Sequence, residues 1–175
     1  MRKWVATFVV DLNICPFAKK EMAKKRVRFA VTEAATEEQL LVALETELDL
    51  LNADPAIETT LLIHPGTMQD FSDYNQFLDL AEGLLVQMEL ENIYQIASFH
   101  PDYQFAGTAP GDAENYTNRS PYPVLHLLRE DSLDRVLSDT QDADQIPLRN
   151  IALMNTMGED KLHALLQACF DESAE

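Results

Sequence analysis

An α/β fold is predicted by three β-rich apolar runs, residues 27–31, 57–63 and 93–99, each separated from the next by a helical stripe long enough to cross over a sheet. Connections of that kind imply parallel strands with helices packed against them. The expectation is one domain over residues 1–175, with a central, mostly parallel sheet of about four strands and flanking helices. A two-layer α+β sandwich is the alternative, because the later strands can also run antiparallel.

Trp4, Phe8 and Leu12 recur every four positions, the spacing of one helical face, and predict a helix over residues 2–12. Asn13 and the Cys15-Pro16 pair end it, since the residue before proline is driven out of the helical region. Pro16 then suits the first turn of a new helix reaching Lys25, which makes Cys15 its N-cap. Val27, Phe29 and Val31 alternate as in a half-buried strand. Thr36 and Gln39 form a capping box ahead of the stripe Leu40, Leu41, Leu44, Leu48 and Leu51. The second strand stops at His64-Pro65. A helix over residues 72–91 carries Phe77, Ala81, Leu84, Leu85 and Met88, and the third strand stops at His100-Pro101. A polar loop runs on to Pro123. Residues 124–128 fit a fourth strand or a helix equally, because both periods match so short a run. Asp131 or Ser132 caps a short helix through Leu137, residues 141–145 read as a turn, and Gly158 precedes a last helix bearing Leu162, Leu165, Leu166, Cys169 and Phe170.

A hydrophobic content of 46% over 175 residues supplies one core and not two. No run approaches the roughly 18 uninterrupted apolar residues of a membrane helix. Asp11 breaks the first apolar stretch and no small-residue cleavage site follows, so a signal peptide is not expected either. A cytoplasmic protein is the expectation. Two cysteines without paired spacing suit reduced thiols rather than a disulfide framework, and Cys169, on the apolar stripe of the last helix, reads as core. The glycosylation patterns at Asn115 and Asn118 are then idle.

The net charge of -17 is unevenly spread: residues 1–30 hold eight Lys/Arg against two acids, and no Lys or Arg lies between Arg28 and Arg119. Such a surface repels phosphate backbones and anionic headgroups, which argues against nucleic-acid or membrane partners outside the basic N-terminal segment. Arg119 stands out for the same reason. It either pairs with a carboxylate such as Asp102, Asp112 or Glu114, or anchors an anionic ligand with its fork of donors.

Function is sought where polar groups gather at strand ends. His64 and His100 both follow a β-run and precede proline, so parallel strands place them on one edge of the sheet, about 5 Å apart as neighbours or about 10 Å with a strand between. A lone strand-end histidine is most often a packing residue, and His126 and His163 read as structural. His100, followed by Asp102 and Tyr103, is the candidate for acid-base work. Cys15 at a helix N-cap, with Lys19 and Lys20 nearby, gains thiolate character; buried by Ile14 and Phe17, it would instead be inert.

Three chemical routes follow. Cys15, His64 and His100 could ligate a transition metal such as zinc or copper. Cys15 as nucleophile could work with His100 as base, oriented by Asp102 or Asn13. His100, Asp102 and Tyr103 could act without thiol or metal. In each, Arg119, Asn118, Asn115 and Asn13 are the candidate ligand-binding residues, and the partner is a small, anionic molecule. Against all three stands a non-catalytic module whose polar loop is a structural plug or a partner surface. With five glycines and no GxGxxG, P-loop, HExxH, GxSxG or CxxC, the nucleotide, zincin and hydrolase-elbow classes lose support.

The segments from Leu12 to Ala18, from Ile96 to Gly107 and from Asn115 to Pro123, with residues 126–130, resemble a bacterial family of unknown function numbered 1415. The resemblance spans Trp4 to Gly158 and implies a bacterial cytoplasmic protein; the chain begins close to the first motif, so a leading helical turn of the family is expected to be missing from it. It implies no reaction, cofactor or catalytic assignment.

Overall fold

The computed structural model of the chain describes residues 1–139 and 143–170. At its centre lies a four-stranded sheet in the order β1-β2-β4-β3, comprising β1 (Val27–Val31), β2 (Thr59–Ile63), β3 (Tyr94–Phe99) and β4 (Val124–Arg129). β1 and β2 pair in parallel, whereas β4 runs antiparallel to both β2 and β3 and separates them. The sheet is therefore mixed, with three strands sharing one direction. Residues 124–128 are strand because Val124, Leu125 and Leu127 are all fully buried, the near-continuous apolar pattern of a central strand covered on both faces.

Helices α3 (Glu37–Ala53) and α4 (Phe71–Gln87) cover one face, where Leu62, Leu125 and Leu127 meet Leu40, Leu44, Tyr74 and Phe77. Leu61, Ile63 and Val124, alternating with them, point to the other face and pack beneath Trp4, Val5, Phe8, Met154 and Leu162. That second layer consists of α1 (Arg2–Trp4) and its continuation, α6 (Ile146–Met157) and α7 (Glu159–Gln167), with α2 (Pro16–Ala23) beside them.

Local signals explain most boundaries. Thr36 Oγ1 accepts the Gln39 N–H at 3.3 Å and Gln39 Oε1 accepts the Ala35 N–H at 2.8 Å, a reciprocal cap on α3. Asp70 caps α4 by accepting from Ser72 and Asp73. That helix stops at Gln87, short of the expected residue 91, because Glu89 and Asn92 turn left-handed at φ 58° and 61°. The N-terminal helix also departs from expectation. After Trp4 it widens into a π-helix over Val5–Val10, with the Asp11 N–H reaching Ala6 O and the Ile14 N–H reaching Val9 O. The wider turn buries Val5 beside Trp4 and Phe8 and leaves Leu12 only partly covered.

α5 (Glu130–Asp139) follows β4 without a break, so Asp131 and Ser132 lie inside its first turn rather than capping it. Part of the expected turn at 141–145 lies outside the described residues; Ala143–Gln145 form a 3-10 turn. The sequence pattern did not anticipate α6. Gly158, at φ 80°, divides it from α7. Among the described residues no helix is long and apolar enough to cross a membrane.

Candidate functional site

Because β2 and β3 share a direction, His64 and His100 do leave the sheet on one edge, with β4 between them. Both are fully buried. The His64 Nδ1 must carry a proton, since it lies 3.3 Å from the carbonyl oxygen of Thr67, and its Nε2 is buried without a hydrogen-bond partner. His100 has the opposite tautomer: Nδ1 accepts the Asp102 N–H at 3.0 Å and Nε2–H donates to Met68 O at 3.1 Å. Tyr74 lies between them, its ring 5.8 Å from His64 and 5.1 Å from His100. Its hydroxyl donates to Val124 O at 2.7 Å and accepts the Phe99 N–H at 3.1 Å, joining β4 to β3. Burial pushes the His64 pKa down to about 4 and lowers that of His100, whose carbonyl contact at Met68 and neighbour Asp102 pull the other way. Both imidazoles are thus neutral groups that pin the loop after β2.

Most of the polar loop is paired too, although Thr117 Oγ1 is buried without a hydrogen-bond partner among the described residues. Asn115 is fully buried: its Oδ1 accepts the Phe105 N–H at 3.0 Å and the Thr108 hydroxyl at 2.8 Å, and its Nδ2 donates to Ala109 O at 2.8 Å. Asn118 donates to Ser98 O at 3.1 Å. Tyr103 sits between the rings of Phe71 and Phe105. Arg119 pairs with none of the carboxylates the sequence offered; it donates to Tyr103 O at 3.2 Å and Pro110 O at 2.6 Å, and its guanidinium lies 4.6 Å from the centre of the Tyr116 ring. Beside it opens a pocket of about 160 Å³ bordered by Asp102, Ser120, His163 and Gln167.

Cys15 is elsewhere. It lines a pocket with Trp4, Leu61 and Phe99 on the face opposite α4, so the sheet separates it from His64 and His100. The proposed ligand set Cys15, His64 and His100 is not assembled, and no cluster of three His, Cys, Asp or Glu suited to a metal occurs among the described residues. Cys15 does occupy the N-cap of α2, with φ -126° and ψ 115°, but burial raises its thiol pKa and outweighs the lowering by the Phe17 and Ala18 N–H groups. Asn13 is left-handed at φ 53°, and its carbonyl receives Arg149 at 2.6 Å, which holds the chain between the first two helices.

The sequence profile of a family described as Protein of unknown function (DUF1415) matches residues 1–164. This chain belongs to that family. No curated protein and no solved structure matches it.

In this DUF1415 chain the imidazole that shares a pocket with the thiol is His126, which the sequence pattern had marked as structural. It projects from β4 into the Cys15 pocket, a narrow apolar space of about 40 Å³ over which the π-helix places Val5 and Val9. Thr59 Oγ1 donates to Leu127 O at 2.6 Å and so must accept the Nε2–H of His126 at 2.8 Å. That leaves Nδ1 as an unprotonated acceptor, and burial lowers the ring's pKa to about 4. The register of β2 against β4 sets His126 opposite Leu61 and so on the face that Cys15 covers, and no local motif signals it.

Proposed function

We propose that this DUF1415 chain binds a small anionic molecule at the carboxyl-end rim of the sheet, with Arg119 as the anchor. The observation that carries the reading is a guanidinium held in place by two backbone carbonyls and the Tyr116 ring, with no carboxylate neutralising it among the described residues, at the wall of a pocket. Fixed donors of this kind lose little freedom when they grip a carboxylate or phosphate. On this reading the rest of the loop is scaffold: His64, His100, Asn115 and Asn118 hold it rigid, and Asp102 and Tyr103 border the rim. Thermal-shift titration with inorganic phosphate, acetate and succinate tests it. Stabilisation by at least one of them, abolished in Arg119→Gln, is expected; equal stabilisation of that variant would leave only the plug reading.

A second reading, Cys/His chemistry, is favoured by the Cys15 pocket rather than by His100. The thiol and His126 line one apolar pocket, where burial keeps both groups neutral, and Nδ1 is the unprotonated acceptor there for the thiol proton once a charged substrate enters. Alkylation of Cys15 by iodoacetamide should be slow at neutral pH and slower still in His126→Gln. A rate unchanged by that substitution would remove the base from the scheme.

A further inference from the structure

The opposite edge of the sheet, where β1 and β2 begin, carries a site the loop gave no hint of. Arg26, just before β1, stands between two carboxylates that are more than nine-tenths buried, Glu21 of α2 and Glu58 just before β2. Backbone bonds fix the three together: the Arg26 N–H donates to Glu21 O at 3.0 Å and the Glu58 N–H to Arg26 O at 2.9 Å. The guanidinium does not satisfy both acids. Its Nη2 bonds Glu58 Oε2, while Nη1 is 3.6 Å from Glu21 Oε2, beyond hydrogen-bond distance. Glu21 Oε2 and Glu58 Oε1 are buried with no hydrogen-bond partner among the described residues. Carboxylate oxygens left without a hydrogen-bond donor in a buried setting are costly, and a donor that enters beside them is favoured.

Both acids line a pocket of about 200 Å³ between α2 and α5, larger than a cavity of about 150 Å³ that accepts benzene. Its other charged walls are Arg26 itself, Lys20, Lys24 and Arg135. The ammonium groups of Lys20 and Lys24 are exposed and have no partner among the described residues, whereas Arg135 is steered by bonds to Asp131 O at 2.9 Å and Ser132 Oγ at 2.8 Å. A single pocket thus joins two acceptor oxygens in need of N–H donors to a cationic rim, in a chain whose net charge is -17.

We infer that this pocket binds a small amino-bearing dicarboxylate, an acidic amino acid, with its ammonium against Glu21 and Glu58 and its carboxylates against Lys20, Lys24 and Arg135. A simple anion would leave the buried oxygens unpaired. A metal cation would have to displace or face the Arg26 guanidinium. An ammonium donates to both carboxylates, and a second negative charge matches the excess of cations at the rim.

Calorimetric titration of the full chain with L-glutamate and L-aspartate, against glutarate, which is glutamate without its amine, and 4-aminobutyrate, which lacks the α-carboxylate, tests the inference. At least one acidic amino acid is expected to bind. Losing its amine or one carboxylate should weaken it roughly tenfold or more, as deletion of a charged hydrogen bond does. Glu58→Gln should erase the preference for glutamate over glutarate, and Lys24→Ala, at an exposed position, should weaken both. The titrations are repeated in Arg119→Gln, which removes the rim anchor: the preference for glutamate over glutarate should persist there, which separates this site from the rim pocket. Equal binding of glutarate and glutamate, or no heat from either amino acid at about 10 mM, overturns the proposal; if Glu58→Gln does not fold, the ligand ratio in the unaltered chain and Lys24→Ala decide it.

Discussion

The two edges of this sheet solve the same problem in opposite ways. At the carboxyl ends of β2 and β3, His100, Asn115, Asn118 and Arg119 each find backbone partners, and the neutral His64 Nε2 and Thr117 Oγ1 are left over among the described residues. At the amino ends of β1 and β2, two buried carboxylates keep unpaired oxygens beside free lysines. The first edge holds residue types that usually mark chemistry and uses them as braces. The second holds ordinary Glu, Lys and Arg; its arginines are bonded, whereas one oxygen each of Glu21 and Glu58 has no hydrogen-bond donor among the described residues. Residue type alone therefore ranks the two edges in the wrong order; hydrogen-bond accounting ranks them by what a ligand has to gain.

Acidification should break the contrast most strongly. His64 and His126 fall from an unperturbed pKa of 6.5 to about 4 in the folded chain, so between those values the unfolded state binds the extra protons. Stability is full above pH 6.5, falls as pH drops through this window and gains no further loss from these groups below about pH 4, a deficit of roughly 3 kcal/mol per histidine. Urea unfolding at pH about 7 and about 4 checks this, and His64→Gln should flatten the dependence. Next in size, Asn115→Ala removes three hydrogen bonds from a buried hub and should cost about 2–4 kcal/mol, read from the same denaturation curves. Tyr74→Phe, which strands the Phe99 N–H and Val124 carbonyl, should cost about 1–3 kcal/mol. Cys15→Ser, placing a hydroxyl in an apolar pocket, should cost about 1 kcal/mol. Smallest of all, Lys20→Ala and Lys24→Ala should change stability by no more than about 0.5 kcal/mol, since neither ammonium is engaged. A large loss there would mean that the amino edge is braced after all.

Periodicity and caps made the strands and long helices legible: Thr36 with Gln39, Cys15-Pro16 and the two His-Pro stops all mark real boundaries. The common edge of His64 and His100 could be read because both strands carry the same terminal signal. What could not be read was β4 between them, since strand order depends on pairing energies spread over the whole sheet. The same applies to Cys15. Its N-cap position was evident, but the face of the sheet it lies on, and hence its neighbour His126, depends on where the π-helix turns the chain. α6 was hidden by Pro147 in its first turn and by a weak polar–apolar contrast. The pairing of Arg26 with Glu21 and Glu58 was invisible because each lies in a charged stretch that reads as plain surface.

The insertion of β4 has a consequence for how the chain reaches its folded form. Among the described residues β3 has no hydrogen-bonded strand neighbour except β4, so a nascent polypeptide that has emerged only as far as Pro123 can close the β1-β2 pair around α3 while β3 waits unpartnered. A single late segment then completes the ladder on both of its sides at once. Folding should therefore be gated by the arrival of residues 124–129, and truncations ending before them should expose two unpaired strand edges and aggregate.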